Sequence, residues 1–99
     1  MQNFKEETME LIDGLKVREY RLIRNNYGTA FKKNIVLSGE DEINWNKLPN
    51  EDILFYDNGY GIAYWDGWIT FKDTSDWLER KEYDGSEWWE WQRKPSLGD

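Results

Sequence analysis

Carboxylates and indoles are the side chains best placed to do chemistry in this chain, and they are concentrated in one stretch. Asp73, Asp76, Glu79, Glu82, Asp84, Glu87 and Glu90 recur every two or three residues, beside Trp77, Trp88, Trp89 and Trp91. Paired acids among aromatics are the equipment of a glycosidase, which needs two carboxyl groups flanking a sugar. Acids alternating with aromatics on strands are more often a solvated face opposite a buried one. A domain of 99 residues also leaves little room for a sugar cleft. No other catalytic set stands in the sequence. There is no histidine or cysteine, and Ser38, Ser75, Ser86 and Ser96 sit in no nucleophile elbow. Glycines are spread one per turn rather than gathered into a phosphate cradle.

Metal and cofactor chemistry have equally little to work with. The usual zinc and copper ligands are missing, and no stretch matches the calcium loop with its fixed acidic spacing. The sequence implies no cofactor, no metal and no catalytic residue. The expectation is a protein that is not an enzyme.

Charge points toward a partner instead. The net charge is −7. Residues 16–33 are basic at +5, whereas residues 34–92 carry −10. An acidic surface repels phosphates and attracts basic proteins, so direct nucleic-acid binding is disfavoured. A tryptophan rimmed by charge is what a protein-binding hot spot looks like. The expected partner-binding set is Trp88 as apolar anchor, framed by Glu79, Glu82, Asp84, Glu87 and Glu90. In Glu87–Arg93, strand alternation places Trp89 and Trp91 on one face and Trp88, Glu90 and Gln92 on the other. The residues of 77–83 alternate likewise, with Trp77, Glu79, Lys81 and Tyr83 on one side.

The elements that must position these residues are legible from periodicity. Phe4, Thr8, Leu11, Ile12 and Leu15 share a helical face, with Asn3 as cap, so a helix is expected over 4–14. A basic hairpin follows over 16–37, turning at Asn25–Gly28. Residues 38–51 read as a loop with one helical turn. Residues 52–93 read as a tryptophan-rich meander. Its two-residue turns are Asn58-Gly59, Asp66-Gly67 and Asp84-Gly85, because a type I′ turn needs positive φ at both central positions. Residues 94–99 read as a disordered tail. The whole is one α+β domain, with one N-terminal helix packed on an antiparallel sheet of about five to seven strands.

The opening MQNFKEETMELIDG is acidic and does not read as a signal peptide. No apolar run is long enough to span a bilayer, so the expected location is the cytoplasm of the producing or host cell. The chain lacks the spaced tyrosine pair and the terminal tryptophan–proline pattern of a WW domain. In style it resembles the small accessory proteins of bacteriophages and mobile elements: short, acidic, rich in tryptophan and tyrosine, without cysteine. That likeness implies an inhibitor of a host defence or nucleic-acid-processing enzyme, with carboxylates imitating a nucleic acid. An immunity protein or antitoxin facing a basic toxin uses the same physics. Two further readings stay open. One is a carbohydrate- or peptide-binding module built on the aromatic strip. The other is a structural subunit of an assembly.

Overall fold

The computed structural model describes residues 1–25, 34–57 and 63–95. It is an α+β fold. A short strand β1 (Gln2–Asn3) leads into the helix α1 (Phe4–Leu11), and β2 (Val17–Arg24) and β3 (Ile35–Glu40) follow. Two 3₁₀ turns, Trp45–Lys47 and Glu51–Leu54, precede β4 (Phe55–Tyr56). The chain finishes with β5 (Trp65–Phe71), β6 (Trp77–Tyr83) and β7 (Ser86–Gln92). Five strands form one antiparallel sheet in the order β3-β2-β5-β6-β7, and β1 pairs with β4 separately. Among the described residues no helix is long and apolar enough to cross a membrane.

Local chemistry explains where α1 starts and stops. Asn3 Oδ1 accepts the Glu6 N–H at 3.1 Å, supplying one of the donors a helix start leaves open. Glu6 and Glu7 occupy the first turn, where the helix dipole favours negative charge. The helix is shorter than the expected 4–14. Ile12 caps it, and the chain then turns through Gly14 at φ 80°, a left-handed conformation suited to glycine. Phe4, Thr8 and Ile12 face inward as the periodicity predicts, but Leu11 is 40% exposed at the margin of that face.

The sheet departs from expectation at Asp66-Gly67. This pair is not a hairpin loop. It lies inside β5, with Asp66 opposite Ile23 and Gly67 opposite Leu22. Gly67 has φ 130°, and a Cβ there would stand 2.0 Å from the Arg21 carbonyl oxygen. The glycine therefore serves a close backbone approach rather than a reversal. By contrast, Asp84-Gly85 is the expected turn, with φ 50° and 86°. A bulge between Val17 and Glu19 turns Val17 inward, onto the side opposite Glu19 and Arg21. β3 runs to Glu40, three residues into the expected loop. Phe55–Tyr56 joins the N-terminal strand rather than the meander. The Asn58-Gly59 turn, most of the Asn25–Gly28 turn and residues 96–99 of the expected tail fall outside the described residues.

One sheet face carries the core. Tyr20, Leu22, Leu37, Trp65, Ile69, Phe71, Leu78 and Trp89 are buried there, under Phe4, Ile12, Ile53, Leu54 and Tyr56. Phe4 is the hub: its ring stacks on Trp65 with centroids 3.9 Å apart and planes 3° apart. It also meets Trp89 at 5.6 Å and Trp45 edge-on at 6.1 Å. Aromatic pairs of this kind supply the buried area that scarce aliphatics do not.

Replacing Gly67 by alanine tests the close approach. The added methyl must displace the β2 backbone, so unfolding in urea should occur with a loss of about 3 kcal/mol or more. A Gly67→Ala chain as stable as the parent would contradict this register.

Candidate functional site: a carboxylate-framed aromatic face

Strand alternation sorts the carboxylates of the last hairpin onto two sides with different duties. Glu87 belongs to the inner side. The sequence reading placed it in the surface frame, and the structure corrects this. Its side chain is fully buried and accepts the backbone N–H groups of Tyr64 at 2.5 Å and Trp65 at 3.0 Å. It also takes a 2.7 Å ion pair from Arg80. A carboxylate so enclosed cannot frame a partner.

Arg80 is the other half of that arrangement. Its side chain is 1% exposed, and it pairs with Glu7 of α1 at 2.6 Å as well as with Glu87. It donates to the Tyr56 hydroxyl at 3.0 Å, and that hydroxyl donates on to Glu7. The guanidinium lies 5.1–5.6 Å from the ring centroids of Phe4, Tyr56 and Trp89. Burial alone would pull its pKa down, but Glu87, Glu7 and Tyr56 outweigh burial and hold it above the ordinary value. Nearby, Arg24 stacks on Tyr64 at 4.6 Å and donates to the Ile53 carbonyl. Burial lowers its pKa despite attraction from Tyr64 and Glu87.

The outer side carries the surface residues. β6 and β7 set Glu79 opposite Glu90 and Lys81 opposite Trp88. β5 adds Trp68, opposite Glu79, and Thr70, opposite Trp77. β2 adds Arg21 beside Trp68 and Glu19 beside Thr70, and β3 sets Glu40 against Glu19. Trp68 and Trp77 are half-buried, Trp88 is 38% exposed, and Tyr83 stands out at 77%. Glu19, Arg21, Glu40, Asp66, Trp88 and Glu90 of this face are exposed.

Of the expected binding set, Glu79, Trp88 and Glu90 converge on this face. Glu82 points to the other side, where its carboxylate accepts the Gly85 N–H at 3.1 Å and braces the turn. Asp84 occupies the exposed turn itself. Trp68 was missed as a surface residue, because the Asp-Gly pair hid its alternation with Ile69. Trp77 lies on the side with Glu79 as the alternation predicts, although the expected binding set left it out.

Local bonds fix the face. Trp77 Nε1 donates to Glu79 Oε1 at 3.0 Å, and Lys81 Nζ pairs with Glu79 Oε2 at 2.9 Å. The indole N–H, then Lys81, depress the Glu79 pKa. Glu79, and to a smaller degree Glu90, raises that of Lys81. Glu79 is thus held ionised, the opposite of what a general acid requires. Ionised carboxylates and immobilised indoles can bind cationic and flat apolar groups. Among the described residues no three acids are grouped to hold a metal ion.

Two outcomes check the division of labour. Glu87→Gln strips Arg80 of a buried partner and should cost about 3–5 kcal/mol in urea unfolding, while Glu90→Gln should change it by less than about 0.5 kcal/mol. Alkaline pH tests Tyr56, whose pKa is raised by burial and by its bond to Glu7. That contribution is complete below the ordinary tyrosine value, about 10, and is lost as pH climbs from there toward the folded value. Urea midpoints should therefore fall above about pH 10, and less steeply in Tyr56→Phe.

Compared with protein-family models, curated proteins and solved structures, the chain matches none.

Proposed function

We propose that this chain is a non-enzymatic acidic binding protein. It docks its outer sheet face and the tip of the β6–β7 hairpin on the basic surface of a macromolecular partner and blocks that surface. The observation that carries this reading is the company Trp68, Trp77, Trp88 and Tyr83 keep. They share a face with Glu19, Glu40, Asp66, Glu79 and Glu90, against Arg21 and Lys81. Indoles that a core could have buried are spread instead across a solvated sheet. Tryptophan is the residue type most enriched at interface hot spots.

The register gives a second support. Glu19 faces Glu40 and Glu79 faces Glu90, directly across strands. Like charges so placed oppose each other in the free chain. Lys81 relieves only part of this at one pair. A partner rich in lysine and arginine would relieve both, so binding and the relief of repulsion favour the same state. The aromatics supply apolar contact, and the carboxylates supply encounter rate and register.

The finer form of the proposal is an inhibitor that occupies the nucleic-acid groove of a host enzyme, with an immunity protein or antitoxin as its close variant. Its support is the acidic composition and the likeness in style to phage and mobile-element proteins. The membrane-free, cytoplasmic setting belongs to the same proposal.

Capture from a lysate of the source cell or its host tests the reading. A stoichiometric basic partner should be retained at low salt and released at high salt. Glu79→Lys with Glu90→Lys, and separately Trp88→Ser, should each weaken retention at least about tenfold with the fold intact. A partner held equally by all three chains at both salts would overturn the assignment to this face. Salt-independent quenching of tryptophan fluorescence by glycans would replace it with a sugar-binding module.

A further inference from the structure

A groove of about 640 Å³ runs between α1 and the outer edge of β7. Trp88 and Trp89 both line it, although they point to opposite faces of the sheet. The groove therefore passes the edge of the strand rather than lying over one face. β7 closes the strand order, so its outer edge has no strand partner among the described residues. The Asp84-Gly85 turn fixes which backbone groups point there. In a two-residue hairpin the flanking pair, here Tyr83 and Ser86, exchanges both hydrogen bonds. Counting along the ladder, the N–H and C=O of Trp89 and Trp91 point outward.

The opposite wall is helical. Glu6 and Glu10 lie one turn apart on α1 and are exposed, with Leu11 beside them. Glu7 also lines the groove but is committed to Arg80 and Tyr56. Phe55, 42% exposed, adds an apolar patch. An edge strand flanked by a helix is a geometry that captures extended peptides: main-chain bonds give affinity, and alternate side chains give specificity.

We propose that this groove takes an extended basic segment of a protein partner as a sixth strand beside β7. The inference rests on the reading of the chain as an acidic binding protein and names the segment it would take. Alternate residues of an added strand stand about 6.7 Å apart. Glu6 and Glu10 are separated by a rise of about 6 Å. Lysine or arginine at two alternate positions therefore matches the two carboxylates. The intervening side chains lie toward Trp88, where an aliphatic group or a guanidinium stacks on the indole. A second copy of β7 fits poorly as occupant. It would bring Glu90 of one chain toward Glu90 of the other, in a pair of chains each carrying −7.

The test uses the full chain and a fluorescein-labelled peptide of alternating lysine and valine, read by fluorescence anisotropy. Its control has the same sequence with the edge-facing backbone nitrogens methylated, which keeps the charge and removes the ladder bonds. The parent peptide should bind, and the methylated one should bind at least about tenfold more weakly. Glu6→Gln with Glu10→Gln should weaken the parent peptide severalfold with circular dichroism unchanged. The amide resonances of Trp89 and Trp91 should shift on binding.

Equal affinity for both peptides, or shifts confined to Trp68 and Trp77, would overturn the edge proposal and leave the outer-face reading standing. No binding at low salt would also overturn it, since outer-face docking is read separately by partner capture with Glu79→Lys and Glu90→Lys. Concentration-dependent dimerisation that protects the Trp89 and Trp91 amides would assign the edge to a second copy and overturn it as well.

Discussion

A single buried guanidinium holds this fold in register. Arg80 reaches from β6 to Glu87 on β7, to Glu7 on α1 and to the Tyr56 hydroxyl on β4, inside a box of Phe4, Tyr56 and Trp89 rings. Glu87 extends the set by holding the N–H groups of Tyr64 and Trp65, where the chain enters β5. Desolvating three charges costs several kcal/mol each, and only good geometry with further hydrogen bonds offsets it. Here two short ion pairs, two backbone donors and a hydroxyl supply that geometry. Arginine suits the role because its planar fork meets two carboxylates at once while its face lies on aromatic rings. Lysine would offer neither the fork nor the flat face.

That constraint decides what the other side of the sheet is free to do. Neighbouring residues on β6 and β7 point to opposite faces, so once Arg80 and Glu87 are fixed inward, Glu79, Lys81, Trp88 and Glu90 are fixed outward. The acids of the last hairpin are thereby separated by position into those that hold the core or the turn and those that meet solvent. A one-residue slip would exchange the two sets, leave Arg80 at the surface and bury Lys81. The stability of the inner cluster and the composition of the outer face are therefore one property of the sequence.

Much of this was legible from local chemistry. The Asn3 cap, the inward line Phe4–Thr8–Ile12, the Asp84-Gly85 turn and the alternation in β6 and β7 all depend on residues near one another in sequence. So does the grouping of Trp88 with Glu90, and of Trp77 with Glu79. What escaped depends on contacts between distant residues. Asp66-Gly67 has the composition of a turn, yet its glycine answers to the Arg21 carbonyl on a neighbouring strand. Glu87 has the charge of a surface residue, and only the positions of Arg80, Tyr64 and Trp65 reveal its burial. Pairing of Gln2–Asn3 with Phe55–Tyr56 spans half the chain and involves two residues a side, too few for any periodicity.

Carbodiimide labelling of carboxyl groups, read residue by residue in the native chain, tests the central division most directly. The account predicts fast labelling of Asp84 and Glu90, and labelling of Glu87 only as fast as the whole molecule unfolds. In complex with a captured partner, the first group should become protected while Glu87 stays unchanged. Glu87 labelling as readily as Glu90 in the free native chain would contradict the buried cluster and the outer face that depends on it.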